Sequence, residues 1–368
     1  MYIEKIEELV LNKAKSIYGS PLPKVVSTSI DNELSVLDEK KAKTFYIASI
    51  LAEELKQKNI PFELKTFTNP PLIGFLLGLI NINPMPAHYL CSTCHHIEFD
   101  NSALCGVDLA DRKCPICHSL MHKDGYDVSM FQNANKRDAD ISFVFDAKDI
   151  SNVYKDIENL FYDYKVIRMY LKIDKKTNIV TAYTFKETPS LDYESEGIYL
   201  LPKESDIEFI DGDIISYDDD LALYNSSIYI GISSKNHITD EDKAALNEIM
   251  SVTQPETFDD KIRTAGLFIG YNLWEENAKD LIEHKNFSLN EVITCRTDVY
   301  NKLLMYGYST NDAWDISEKV RKGKSLSEKD VEIMKQNNIP LWFIQSCKKI
   351  RYAPTRGMCV MFAINNKL

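Results

Sequence analysis

The chain has 368 residues, 44% hydrophobic and 27% charged, which is the composition of a globular protein long enough for two or three domains. Its most apolar run, LIGFLLGLINI at 72–82, is far short of the roughly 20 residues that cross a bilayer. The opening MYIEKIEELVLNKAK is charged from its fourth residue and lacks a secretory apolar core, so the expectation is a cytoplasmic protein without a membrane partner.

The net charge of −12 is local. Residues 187–242 hold fifteen Asp or Glu against Lys203 and Lys235, and the remainder is nearly neutral. Residues 319–356 hold ten Lys or Arg against three acids. An acidic chain can therefore present one basic face to an anion, although a solvated helical surface explains the same composition equally well.

In chain order, residues 5–18 and 38–58 read as helices, the second with Phe45, Ala48, Leu51, Ala52 and Leu55 on one face. Asn69-Pro70-Pro71 breaks the chain, LIGFLLGLINI reads as a buried strand or helix, and NPMPAHY at 83–89 is a second proline-punctuated turn. From 141 to about 232 the texture is β: ISFVF, KVIRMYLKI, NIVTAYTF, GIYLL and SIYIGI, with the second and third expected to form a hairpin. From 239 it is helical, with capping patterns at Thr239–Asp242, Ser288–Glu291 and Ser327–Asp330, and Pro340 expected to close the helix before it.

CSTCHHIEF at 91–99 and CPICHSL at 114–120 each carry Cys-x-x-Cys-His. Covalent haem would require attachment machinery found outside the cytoplasm, whereas two knuckles nineteen residues apart match the spacing of a four-thiolate zinc site. Cys91, Cys94, Cys114 and Cys117 would close a tetrahedral shell and leave no position for substrate water, so the metal would be structural. His95, His96, His118 and His122 are close enough in sequence for one of them to replace a sulfur, and an empty, reduced set of thiols is the bland alternative. Cys105, Cys295, Cys347 and Cys359 are scattered and are expected to be core thiols.

NPMPAHYLCSTC, DLADRKCPIC, HKDGYDV and DADISF follow one another as in PolC-type DNA polymerase III α subunits, which the chain resembles. ELVLNKAKSIYGSPLPKVV and EGIYLLPKESDIE resemble palm segments of that family. TQPETFDDKIRTAGL, ENAKDLI, LNEVITCR, VRKGKSLSE and IPLWFIQSCKKIRY resemble its fingers helices. The resemblance implies a mixed α/β fold: a polymerase-β-like nucleotidyltransferase palm over 1–240, with a four-cysteine zinc unit inserted at 88–125, then helical fingers over 241–368. It also implies template-directed DNA synthesis, in which three aspartates hold two Mg²⁺ ions.

Asp138 and Asp140 match two of the three aspartates, and two acids two apart at the head of a strand point to one face. At the third place the chain has Gly231, and no acid occurs from Asn225 to His237; Asp211, Asp213 or Asp218–Asp220 are the remaining substitutes. Where the family has a Gly/Ser-rich phosphate loop with an arginine, this chain has ELKTFTNPPLIG, with Lys65 near the arginine position and two prolines that lack an N–H. After CKKIRY, Arg356 stands near a family lysine and Met358 near a histidine. No exonuclease, PHP-type domain, tandem helix-hairpin-helix or OB-fold is expected within these 368 residues. Arg321, Lys322, Lys324, Lys348, Lys349, Arg351 and Arg356 are the candidate phosphate contacts.

The expected function is that of a PolC-like fragment that has lost catalysis and binds DNA, nucleotide or a replisome component, for example as a decoy or modulator carried by a phage or mobile element. The alternative is an active minimal polymerase using Asp138, Asp140 and Mg²⁺. A decaying gene product without a selected role is the bland reading. The acidic 187–242 stretch is expected to be solvated surface, the alternative being imitation of DNA toward a partner.

Overall fold

The computed structural model describes residues 1–64, 70–128, 141–146, 148–173, 180–184, 195–203, 214–215, 228–234 and 238–368. By its contacts the chain divides into two units, and it passes from the first to the second at Asn81–Ile82 and again before Ile238.

The first unit is a sheet covered by helices. α1 (Tyr2–Tyr18), α2 (Lys24–Leu34) and α3 (Glu39–Gln57) come first. α3 starts at Asp38, whose side chain accepts from Lys41 N–H, a normal N-cap. Its apolar face, Phe45, Ala48, Leu51, Ala52 and Leu55, is buried as the spacing implies, and α3 packs on the sheet. β1 (Glu63–Leu64) and β5 (Ile141–Phe145) lie at one end, and α5 (Ile150–Leu160) follows β5. β6 (Tyr164–Ile173), β7 (Val180–Thr184), β8 (Ser195–Pro202), β9 (Ile214–Ile215) and β10 (Ile228–Ser234) complete the sheet.

Among the described residues the strand order is β1-β5-β10-β8-β6-β7-β9. Only β5 and β10 run parallel, Ile230 opposite Ile141 and Ile232 opposite Phe143. β5 alternates buried Ile141, Phe143 and Phe145 with half-exposed Ser142 and Val144, the period-two pattern of a strand with one face in the core. The expected hairpin forms, with Ile173 opposite Val180 and Met169 opposite Thr184.

The run at 72–82 begins with a short helix, α4 (Leu72–Leu76), led in by Pro71. Its first two N–H groups are taken by one buried side chain: Leu72 N–H donates to Glu33 Oε1 at 2.9 Å and Ile73 N–H to Oε2 at 2.8 Å. Glu33 is 2% exposed, and burial outweighs these two bonds, so its carboxyl is pushed up to about 7.

The second unit joins residues 82–128 to the helices after 238. The first segment carries a three-stranded sheet, β3-β2-β4, from β2 (His88–Leu90), β3 (Ile97–Phe99) and β4 (His122–Asp124). The helices are α6 (Asp240–Thr253), α7 (Phe258–Ile269), α8 (Lys279–Lys285), α9 (Arg296–Met305), α10 (Thr310–Arg321), α11 (Glu328–Gln336), α12 (Leu341–Lys349) and α13 (Arg356–Asn365). Thr239–Asp242 and Ser327–Asp330 form reciprocal capping boxes. Ser288 N–H and Oγ both donate to Glu291 Oε2, yet only a turn follows; Val292, Ile293 and Thr294 are buried, and α9 begins after its N-cap Cys295, where Asp298 completes the capping box. Pro340 opens α12; α11 already ends at Gln336.

The contacts place the cysteine segment with the C-terminal helices, whereas a division at 240 keeps it with the strands. Ile82, Cys105 and Val128 share a core with Ile262 and Ala265 of α7 and Val360 and Ala363 of α13. The four scattered cysteines are buried free thiols in this unit. No helix among the described residues is long and apolar enough to cross a membrane.

Glu33 carries a pH signature. Its folded pKa near 7 lies above the ordinary 4.5, so its contribution to stability is full at low pH and is lost as pH rises through that window. Urea unfolding is expected to lose up to about 3 kcal/mol from this residue between pH 4.5 and 7, and Glu33→Gln should flatten that slope. Equal slopes in both proteins would contradict the assignment.

Candidate metal centre

Each cysteine pair sits on a tight turn of the same build. In the first, Cys91 follows β2, Cys91 N–H donates to His96 O and His95 N–H to Cys91 O, both at 2.9 Å. In the second, Cys114 N–H donates to Ser119 O at 2.8 Å and His118 N–H to Cys114 O at 2.9 Å. The residue after the second cysteine is left-handed in both: His95 at φ 57° and His118 at φ 62°. Such a corner turns two successive cysteines toward one point, and a β-carbon there costs about 1–2 kcal/mol.

The turns converge. All four sulfurs lie within 4.8 Å of one another, with Cys91 Sγ 3.3 Å from Cys117 Sγ and Cys94 Sγ 3.5 Å from Cys114 Sγ. A tetrahedral ion with bonds near about 2.3 Å requires sulfurs about 3.8 Å apart, so the set can hold a metal ion with little movement. Among the described residues no histidine nitrogen joins the set. His96 instead places Nε2 2.8 Å from Glu98 Oε1.

The proton balance points the same way. Hydrogen bonds from the Ser119 side chain and backbone hold the Cys117 thiol down at about 6, and the Cys94 backbone N–H lowers Cys91. At Cys94 the His96 N–H favours the thiolate, but burial and the neighbouring sulfurs outweigh it and push the thiol up to about 12. Four thiolates at this spacing do not ionise together without a cation between them. A small core of Ala87, Tyr89, Leu109 and Met121 surrounds the sulfurs and keeps the shell closed.

The segment between the knuckles is tied to the helices through charge. Asp108 accepts from Phe258 N–H at 2.7 Å and Asp259 N–H at 3.0 Å, capping α7 from 150 residues away. Asp259 then pairs with Arg263 Nε at 3.0 Å and with Arg356 Nη1 at 2.6 Å. Burial alone would raise the Asp259 carboxyl; the two guanidinium groups outweigh it and hold it below its ordinary value. Arg356 also donates to Tyr126 O, and its Nη2 lies 3.3 Å from Cys105 Sγ. Sequence reasoning missed Asp108, Asp259 and Arg263. The Asp-x-x-x-Arg spacing on α7 is a readable signal for the last two; nothing local marks Asp108.

The other candidate residues fall into three groups. Lys65, Asp138 and Asp140 lie outside the described residues. Gly231 is buried in β10, opposite Ser142 of β5 and Gly197 of β8. Of the basic residues, Arg356 is only 7% exposed and held by Asp259, and Arg321 donates through Nε and Nη2 to Glu318 at 2.8 and 3.1 Å. Both guanidinium groups are paired with carboxylates. Lys322, Lys324, Lys348, Lys349 and Arg351 are exposed. Lys322 lies 3.3 Å from Glu318, Lys349 donates to Glu276 O, and Lys348 lines a shallow cavity with Glu328, Glu332 and Lys335.

Curated proteins give the comparison. The chain is 26% identical to the DNA polymerase III PolC-type of Caldanaerobacter subterraneus subsp. tengcongensis across 98% of its length. It is 24% identical to that of Thermotoga petrophila across 98%, and 26% identical to that of Bacillus subtilis across 95%. The chain is related to PolC-type DNA polymerases. The resemblance drawn from NPMPAHYLCSTC and the segments around it therefore holds over nearly all of the sequence. The matches cover 30–33% of those three proteins, so the chain spans about a third of the length of the curated relatives it matches. The first alignment runs over 453 positions against 368 residues here, so that relative carries segments in this interval that the chain lacks. No family model matches the chain.

The left-handed corners give a direct test of the knuckle geometry. Replacing His118 by glycine should stabilise the metal-loaded protein by about 0.5–1 kcal/mol, whereas valine should destabilise it by at least about 1 kcal/mol. Thermal unfolding reads both, and a stabilising valine would contradict the left-handed corner.

Proposed function

We propose that the chain is a PolC-like palm-and-fingers fragment that binds DNA or a replisome component without carrying out nucleotidyl transfer. In this reading the seven-stranded sheet is a polymerase-β-like palm, the helices of the second unit are fingers, and the metal on the four cysteines is a structural Zn²⁺. Thiolate-only, tetrahedral, closed coordination favours zinc over harder ions.

Gly231 carries the non-catalytic part. The resemblance puts the third metal-holding carboxylate at this place. A β-carbon built on Gly231 would lie 2.1 Å from Ser142 Oγ and 2.9 Å from Ser142 Cβ, so no side chain fits unless Ser142 moves. A hydroxyl thus occupies the space that a side chain at position 231 would need, and two carboxylates without a third leave a pair of Mg²⁺ ions under-neutralised.

The stretch that aligns with the phosphate loop supports the same reading. Pro70 and Pro71 have no N–H, and the next two amides are held by Glu33. An internal carboxylate therefore uses donors that an anion nest would need free. The scaffold persists while groups at the chemistry change, which suits a decoy or modulator of a polymerase or of its partners. Retention of both Asp138 and Asp140 is what favours the second reading, an active minimal polymerase.

Primer extension separates the two. Zinc-loaded protein with a primed template, Mg²⁺ or Mn²⁺ and deoxynucleotides should give no more product than Asp138→Ala/Asp140→Ala, with both proteins folded. Extension that the double substitution abolishes would establish the active reading and overturn this one.

A further inference from the structure

Two basic runs far apart in sequence are brought together around one exposed aromatic residue. Tyr271, between α7 and α8, is 67% exposed, while Leu273 and Trp274, which follow Asn272, are buried anchors. Its backbone is pinned on both sides. Tyr271 N–H donates to Tyr352 O at 2.9 Å, and Tyr271 O accepts from Arg351 N–H at 3.0 Å and Tyr352 N–H at 3.2 Å. Asn277 Nδ2 donates to Asn272 O at 3.0 Å, and Lys349 Nζ holds the carbonyl of the left-handed Glu276.

The same strip of chain, 351–353, meets the first basic run on another side. Ala353 N–H donates to Arg321 O at 3.2 Å. Gly323 turns at φ 62°, and a β-carbon there would lie 2.0 Å from Arg351 O, so the Lys322-Gly323-Lys324 turn abuts Arg351 directly. Backbone bonds thus gather Tyr271, Arg351, Lys349 and Lys324, all exposed, from three segments of the second unit. Of the acids near this strip, Glu318 is paired with Arg296 and Arg321 and Glu275 with Lys279, while Glu276 is exposed.

A lone exposed tyrosine needs no explanation. A tyrosine on a backbone fixed by several hydrogen bonds, beside cations from two other segments, is a different object. It offers an exposed ring on a fixed backbone, with cationic side chains on the neighbouring segments to meet the phosphates of a stacked strand. We propose that Tyr271 with Arg351, Lys324 and Lys349 forms a binding surface for single-stranded DNA, the ring stacking on an unpaired base and the cations meeting the flanking phosphates. This rests on the nucleic-acid-binding part of the function proposed above and names the strand state it reads.

The test uses the full, zinc-loaded chain and fluorescence anisotropy with a short labelled oligodeoxythymidine, beside a blunt hairpin duplex. Tyr271→Ala should weaken oligodeoxythymidine binding on the order of tenfold or more with an unchanged salt slope, and Tyr271→Phe should retain it. Lys324→Ala/Arg351→Ala should reduce the slope of log K against log salt by about 1.4. Wild-type protein that binds the oligonucleotide while Tyr271→Ala binds it equally well would overturn this surface and leave DNA binding standing. Tighter binding to the hairpin, insensitive to Tyr271, would also overturn it. A folded protein that binds neither probe would overturn the DNA-binding reading with it.

Discussion

Arg356 is a fully charged group in the interior, and the second unit is arranged around the need to satisfy it. Its guanidinium meets the Asp259 carboxylate, the Tyr126 carbonyl and the Cys105 sulfur, all in a region closed to water. Removing one partner of such a pair leaves an uncompensated buried charge, at a cost of about 3–5 kcal/mol. The cation comes from α13, the carboxylate from α7, and the carbonyl and thiol from the cysteine segment. None of the three can leave without stranding the others.

The metal-binding turns and this ion pair are consecutive parts of one construction. Asp108 lies between the two knuckles, and its two acceptor bonds fix the first turn of α7, where Asp259 follows Phe258. Drawing the four sulfurs to one cation shortens the loop that carries Asp108 and Cys105 and sets both against the helices. Burial pushes the Cys105 thiol up to about 12 despite the nearby guanidinium, so it serves as a neutral packing and acceptor group. A metal held there would thereby support the helical unit that carries the proposed DNA-binding residues.

Much of this was legible because the local signals were strong. The β-branched and aromatic runs became strands, the doubled Cys-x-x-Cys converged, and Thr239 and Ser327 capped their helices. α5 is hidden in the sequence although Ile150, Val153, Tyr154 and Ile157 have helical spacing, because eleven residues inside a β-rich stretch give only one short period. Ser288 and Glu291 make their local bonds without nucleating a helix, and the residues that follow, Val292, Ile293 and Thr294, are buried outside any helix. Long-range pairing was invisible. Charge counting groups Arg321 and Arg356 with the other basic residues, and their pairing with Glu318 and Asp259 is visible only in three dimensions. The meeting of Tyr271 with Arg351 and Tyr352 depends on backbone bonds between distant stretches of the chain, for which no side-chain pattern exists.

Metal at the four cysteines is expected to hold the cysteine segment and the C-terminal helices as one cooperative unit. Hydrogen exchange of the full chain, metal-loaded and after chelation, reads this coupling at the amides of Phe258 and Asp259, which Asp108 caps. Both should lose protection when the metal is removed, together with amides of α13, while α3 in the first unit keeps its own. Protection at Phe258, Asp259 and α13 that is indifferent to the metal would contradict it.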